Sequence, residues 1–114
     1  MKIKDIVNII NGKVVCGKEQ METDIQRGFA SDLMSDVLTL DTDNILLITG
    51  LANLQAIRTA EMSDITCIIF ARNKKVTQEM VDLATENQMV LIECACSVFK
   101  TAGELYKAGI KPVF

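Results

Sequence analysis

The fold is decided by an apolar run that closes on a polar residue and a glycine: Ile45-Leu46-Leu47-Ile48-Thr49-Gly50. The run has no polar face, which is typical of a strand buried on both sides of a sheet. Similar runs follow at Cys67–Ala71 and Val90–Cys94, and amphipathic segments separate them. Strands that alternate with helices in this way predict parallel neighbours joined by right-handed crossovers.

The amphipathic segments carry recognisable ends. Thr77 and Ser97 stand where helices of this kind begin, and Gly109 stands where the last one ends. The predicted helices of this half of the chain are Leu54–Met62, Thr77–Glu86 and Ser97–Ala108.

The first third of the chain is less regular. Isoleucines recur at helical spacing after Met1 until Asn11-Gly12, and a short strand is predicted at Val14–Cys16. A second strand is predicted from Asp24 to Ala30, and Ser31 or Asp32 is expected to cap a short helix that runs through Leu38. The direction of both early strands stays open.

These elements predict one α/β domain over residues 1–114, with a mostly parallel sheet flanked by helices. The length suits one domain, and the sequence contains no linker or low-complexity tract.

Charge and hydropathy exclude several functions. The formal net charge is −3, and Arg72, Lys74 and Lys75 form the one local basic cluster, so nucleic acid is not expected as a partner. No apolar segment approaches the roughly 20 residues of a membrane span. The N-terminus opens an amphipathic helix rather than a signal peptide, and we therefore expect a cytoplasmic protein.

Catalytic and metal-binding sets are missing from the composition. The chain has no histidine, so the usual activation of a serine or cysteine nucleophile is not available. Cys16, Cys67, Cys94 and Cys96 lie in or beside apolar runs and are predicted to be free thiols. Cys67 should react slowly with thiol reagents, and Cys94 or Cys96, near the strand exit, should react sooner. We expect no catalytic residues, no metal and no cofactor.

Four segments in a fixed order resemble the DRTGG domain family: Leu47–Ala60, Cys67–Phe70, Met80–Asn87 and Phe99–Ala102. A further segment, Ala30–Leu38, resembles the stand-alone members of that family. The family is similar to the N-terminal domain of HPr kinase/phosphorylase, and the resemblance implies that fold. Kinase activity does not follow from it, because this sequence lacks a G-x-x-x-x-G-K-[ST] phosphate loop.

The sequence departs from the family at two turns. The Gly-Asp/Asn-Arg turn of the family appears here as Gly50-Leu51-Ala52, and its Thr-Gly-Gly turn appears as Ala71-Arg72-Asn73. The first change removes an arginine suited to phosphate recognition, and the second removes glycines that allow a ligand to approach the backbone. Arg72 then either supplies a replacement charge or is simply solvated.

A ligand would bind at the carboxyl ends of the parallel strands, where loops and helix N-termini expose backbone N–H groups. Glu93, near the end of the last strand, faces either this crevice or an outer edge. The candidate binding residues are Thr49, Gly50, Arg72, Asn73, Cys94 and Ser97, with Ser31 and Asp32 as contributors.

Two functions remain open. The first is a non-catalytic regulatory or sensory domain that binds a small anionic or nucleotide ligand at the edge formed by these strand ends, which we call the rim. The alternative is a homodimeric protein-interaction module without a ligand. The resemblance implies a regulatory role, self-association and a partner protein in a bacterial redox or hydrogenase system.

Overall fold

The structure is a computed structural model that describes all residues, 1–114. In chain order its helices are α1 (Ile3–Ile10), α2 (Met34–Val37), α3 (Leu54–Met62), α4 (Gln78–Glu86) and α5 (Val98–Ala108). Its strands are β1 (Lys13–Cys16), β2 (Arg27–Ala30), β3 (Ile45–Thr49), β4 (Cys67–Phe70), β5 (Val90–Glu93) and β6 (Lys111–Pro112). A 3₁₀ turn spans Lys18–Gln20.

The strands form one sheet in the order β1-β5-β4-β3-β2-β6. All pairs are parallel except β1 with β5, which are antiparallel. Leu46 lies opposite Cys67 at one end of the β3–β4 pair, and Thr49 lies opposite Phe70 at the other. The prediction of a mostly parallel α/β sheet flanked by helices is confirmed.

Two hydrophobic cores lie on opposite faces of the sheet because side chains alternate along each strand. In β4, Ile68 and Phe70 belong to the core under α2, α3 and α4, whereas Cys67 and Ile69 belong to the core under α1 and α5. Every residue of β3 and β4 is buried. This double burial explains why these strands read as unbroken apolar runs.

The three helices that follow the central strands begin with side-chain caps. The side chains of Asn53, Thr77 and Ser97 accept hydrogen bonds from the backbone N–H three residues ahead, at 3.0, 3.3 and 3.0 Å. Gly109, with φ at +119°, ends α5 as predicted. Because each of these helices follows one of the parallel strands, all three N-termini lie at the carboxyl end of the sheet.

The prediction that Ser31 or Asp32 caps α2 is wrong. That helix begins at Met34 after an extended Leu33 and has no side-chain cap. Asp32 is unavailable because its carboxylate is held by the end of β3.

One boundary and one additional strand at the sheet edge also differ from the prediction. The second strand begins at Arg27 rather than Asp24, because the Asp24 carboxylate lies 2.8 Å from the N-terminal amine and the residue pairs with Lys2 instead. The two-residue strand β6 had no sequence signal, because a strand this short and proline-containing lacks alternation.

Removal of a helix cap tests this arrangement. We expect Asn53→Ala to lower the free energy of unfolding by about 1 kcal/mol, because the Ala56 N–H loses its acceptor. Asn53→Ser keeps an acceptor and should recover most of the loss. Urea unfolding of the three proteins measures both changes, and equal stability of wild type and Asn53→Ala would contradict the capping role.

Candidate ligand-binding rim

A carboxylate already occupies the carboxyl end of β3. The Asp32 Oδ1 atom accepts a 2.6 Å hydrogen bond from the Gly50 N–H and a 3.0 Å bond from the Thr49 hydroxyl. Thr49 is fully buried, and its Oγ1 atom in turn accepts from the Leu51 N–H at 3.1 Å. The connection between β2 and α2 is therefore tied to the end of a strand that it does not follow in sequence.

Arg72 approaches the same carboxylate from the next strand. Its Nη1 atom lies 3.9 Å from Asp32 Oδ2, and both side chains are about half exposed, so this ion pair by itself adds little stability. A Cβ atom on Gly50 would lie 3.0 Å from Arg72 Cδ and 3.3 Å from Asp32 Oδ2. Because Gly50 has no side chain, the Arg72 side chain has room to pass over it.

The loop that carries Arg72 has an unusual backbone. Arg72 and Asn73 both adopt left-handed conformations, with φ at +62° and +59°, and such residues cluster at functional sites. Their N–H groups donate to the carbonyls of Cys96 and Cys94, at 2.7 and 3.0 Å. The tight turn therefore depends on bonds to the loop after β5.

Glu93 has a structural role that its sequence position left undecided. Its Oε2 atom accepts a 2.8 Å bond from the Val76 N–H, and its Oε1 atom lies 3.9 Å from Lys75 Nζ. The side chain is 11% exposed, and it anchors the loop between β4 and α4. The residue therefore faces neither an empty crevice nor an outer edge.

The remaining predicted residues serve local structure. The Oγ atoms of Ser31 and Ser97 accept from backbone N–H groups two and three residues ahead. The Cys94 side chain points away from the rim, into the core under α1 and α5, where its Sγ lies 3.6 Å from Ile10 O and from Thr101 Oγ1. Only its backbone carbonyl contributes to the rim.

The structure thus brings four of the predicted residues into one contact group, which we call the Asp32 corner: Asp32, Thr49, Gly50 and Arg72. Arg72 is the cation that approaches this corner, whereas Lys75 lies beside Glu93. The corner therefore combines a backbone donor, a hydroxyl and a guanidinium, which is a donor set for an anion.

The cysteines differ in environment. Burial raises the pKa of the Cys67 thiol to about 12. The pKa of the Cys96 thiol is raised mainly by loss of solvation and secondly by a hydrogen bond with Cys94. Cys96 is the one cysteine that is not buried.

The structure contains no group of three or more side chains of the kinds that bind metals. It has no helix of the length and apolar character needed to span a bilayer.

Comparisons with known proteins agree with this fold. Residues 5–108 match the model of the DRTGG domain. No curated protein matches the sequence. The fold is similar to the crystal structure of the CBS and DRTGG domains of the regulatory region of Clostridium perfringens pyrophosphatase, complexed with its activator, diadenosine tetraphosphate. The TM-score is 0.77 at 11% identity, over 98% of this chain and 48% of that one, so this chain spans about half the length of that structure.

Asp32 should contribute measurably to stability. We expect Asp32→Asn to lower the free energy of unfolding by about 1 to 2 kcal/mol, because bonds from Gly50 and Thr49 to a charged acceptor are replaced by bonds to a neutral one. Asp36→Asn, which removes an exposed carboxylate that forms no ion pair, is the matched control and should change stability by less than about 0.5 kcal/mol. Equal effects of the two substitutions in chemical denaturation would contradict the role of Asp32.

Thiol labelling should separate the cysteines. In the native protein we expect Cys96 to react first with a thiol reagent, and more quickly as pH rises toward its raised pKa, because the thiolate is the reacting form. Cys67 should react only after unfolding. Mass spectrometry of peptides from partly labelled protein identifies the order, and early labelling of Cys67 would show that β4 opens in the native state.

Proposed function

The chain belongs to the DRTGG domain family, and we propose that it acts as a non-catalytic regulatory domain that binds a small anion, such as the phosphate groups of a nucleotide, at the Asp32 corner. The observation that carries the proposal is the Asp32 carboxylate itself. An anionic group already lies on the Gly50 N–H and the Thr49 hydroxyl, beside the Arg72 guanidinium. These donors suit an external anion equally well.

Binding at this corner would require an exchange of anions. A ligand phosphate takes the Gly50 and Thr49 donors only if the Asp32 carboxylate leaves them. Asp32 is about half exposed, so its carboxylate has room to turn toward solvent. Because Asp32 lies between β2 and α2, the exchange would release this connection from the end of β3, and that movement is the regulatory signal that we propose.

A nucleotide is the first ligand to test. The solved structure with the similar fold is described as a regulatory region complexed with diadenosine tetraphosphate. Phosphate oxygens match the donors of the corner, and the Arg72 guanidinium beside it favours a negative ligand.

A regulatory rather than catalytic role agrees with the chemistry of the rim. The carboxylates of Asp32 and Glu93 accept hydrogen bonds that hold loops of the rim. The chain has no histidine to serve as a general base near neutral pH.

Substitution of Arg72 tests the location of the site. We expect Arg72→Ala to weaken the binding of a nucleotide by about 1.5 to 3 kcal/mol, the range of a hydrogen bond to a charged group, without loss of the fold. Arg58→Ala, which removes an exposed arginine from α3, is the matched control and should leave affinity unchanged. Isothermal titration calorimetry with ATP and with diadenosine tetraphosphate measures both.

Substitution of Asp32 tests the exchange. We expect Asp32→Asn to bind the same nucleotide more tightly than wild type by about 1 to 2 kcal/mol, because the ligand no longer displaces a charged carboxylate from the Gly50 and Thr49 donors. If the Arg72→Ala variant binds the nucleotide with the affinity of wild type, the site lies elsewhere. If nucleotides, inorganic phosphate and acyl phosphates all fail to bind at millimolar concentration, the anion-binding proposal is wrong.

A further inference from the structure

We propose that Cys94 and Cys96 form a thiol–disulfide switch, which a small disulfide carrying both a carboxylate and an ammonium group oxidises from the cleft between α1 and α5. We call these two free cysteines the thiol pair. Their oxidation to an intramolecular disulfide loosens the turn at Arg72 and Asn73. The inference does not depend on ligand binding at the Asp32 corner, because each of its steps has a readout in the free protein.

The two thiols lie on the same side of the chain. Side chains two residues apart in an extended chain point to one face, and both cysteines pack against the core under α1 and α5. After loss of solvation, a hydrogen bond with Cys94 is the second cause of the raised pKa of Cys96. Cα atoms two residues apart in a strand are separated by roughly 6.6 Å, and a disulfide spans up to about 6.8 Å between Cα atoms. The bend at Ala95 and Cys96 shortens this separation, so the pair is within disulfide range.

Access from solvent differs between the two thiols. Cys94 is 2% exposed, and its Sγ atom donates a 3.6 Å hydrogen bond to the Ile10 carbonyl. Cys96 is half-buried and lines a cleft of 410 Å³ between α1 and α5. Thr101 lines the same cleft, and its Oγ1 atom lies 3.6 Å from Cys94 Sγ, so Cys94 lies directly behind the wall of the cleft. A reagent that enters the cleft therefore meets Cys96 first, and Cys94 is reached only afterwards.

Free charges of both signs lie beside the Cys96 thiol. Lys100 and Glu104 line the cleft from α5, and neither forms an ion pair within the chain. Loss of solvation has the largest influence on the pKa of Cys96, but Lys100 lowers that pKa and Glu104 raises it, so both charges act on the thiol. The disulfide of an amino-acid thiol carries carboxylate and ammonium groups that complement these two side chains. The cleft therefore favours an oxidant of this class.

Oxidation proceeds by two thiol–disulfide exchanges. Cys96 loses its proton to water, and its thiolate attacks one sulfur of the small disulfide, whose S–S bond breaks as the bond to Cys96 forms. One half of the reagent leaves as a thiolate and takes up a proton. Cys94 then loses its proton and attacks the Cys96 sulfur, which breaks the mixed disulfide and releases the second half as a thiol. Two electrons pass from the thiol pair to the reagent, which is reduced to two thiols.

The backbone of the thiol pair holds the turn that carries Arg72. The Arg72 N–H donates to the Cys96 carbonyl at 2.7 Å, and the Asn73 N–H donates to the Cys94 carbonyl at 3.0 Å. Both turn residues have positive φ, a conformation that persists only where the surroundings hold it. Drawing the two sulfurs together shifts the two carbonyls relative to each other, because they belong to the residues that the disulfide joins. The turn then loses part of its support, and this loss is the output of the switch.

Mass spectrometry tests the oxidation of the native protein by glutathione disulfide. Tryptic cleavage leaves both thiols in residues 76–100, with no other cysteine. We expect wild type to form an internal disulfide in this peptide, which reduced glutathione reverses. Cys16 and Cys67 should stay reduced, because both are buried. Cys94→Ser should stop at a mixed disulfide on Cys96, and Cys96→Ser should not react.

Two controls accompany these variants. Cys16→Ser leaves the thiol pair intact and should be oxidised at the rate of wild type. Circular dichroism identifies any variant that has lost its fold, and urea-unfolded protein shows that every thiol reacts with the reagent once exposed. A native wild type that does not react, a wild type that stops at the mixed disulfide, or a Cys96→Ser variant that reacts as fast as wild type would each overturn the proposal.

Charged reagents test the role of the cleft. Dithiodipropionate is a dianionic disulfide and cystamine is a dicationic one, so the ratio of their rates removes any change in the reactivity of Cys96 itself. Lys100→Gln should lower the rate with dithiodipropionate relative to cystamine by about two- to fivefold, and Glu104→Gln should raise it by a similar factor. Lys107→Gln, at an exposed lysine of α5 outside the cleft, is the control. Equal ratios in all four proteins would overturn the assignment of an oxidant with both charges.

Amide hydrogen exchange, measured by NMR, tests the coupling to the turn. In the oxidised protein the N–H groups of Arg72 and Asn73 should exchange at least about tenfold faster than in the reduced protein, because their acceptors have moved. The Ala56 N–H, which is bonded to the cap of α3, should be unchanged. The Cys94→Ser, Cys96→Ser double variant, treated with the same reagent, should show no change at any of these positions. Equal exchange at Arg72 and Asn73 in the two states of wild type would overturn the coupling.

Discussion

The structure depends on the burial of three parallel strands, β3, β4 and β5, on both faces at once. Apolar side chains that alternate between two cores require helices above and below the sheet, and the helices require right-handed connections. Parallel strands in turn place all their carboxyl ends on one edge. The rim with its three capped helix N-termini is therefore a consequence of how the core is buried.

The rim itself is held by polar contacts between segments distant in sequence. Asp32 ties the β2–α2 connection to the end of β3, and Glu93 ties the β4–α4 loop to the end of β5. The Arg72 N–H donates to the Cys96 carbonyl, next to the Ser97 cap of α5. The loop that carries Arg72 is therefore joined to the N-terminus of α5.

Much of the fold could be predicted because its signals are local. Apolar runs, helix caps at Thr77 and Ser97 and the terminal Gly109 each act over a few residues. Local signals failed where a side chain found a distant partner. The sequence predicts Asp32 as a helix cap, but its carboxylate accepts a hydrogen bond from the N–H of Gly50, 18 residues later. It predicts the Cys94 thiol at the rim, but that side chain lies in the core. The strand β6 is defined only by its neighbour β2.

The sequence by itself determined the fold class, the order of the central strands and helices along the chain, and the parallel direction that places the carboxyl ends of the central strands at one edge, because periodicity and parallel pairing follow from residue type. Only the tertiary structure decided that the Asp32 carboxylate lies at the end of β3, that Arg72 crosses above Gly50, and that Phe99 and Tyr106 stay exposed on α5. The physical reason is that hydrogen bonds and surface exposure depend on which segments meet in space, and residue order does not specify those meetings.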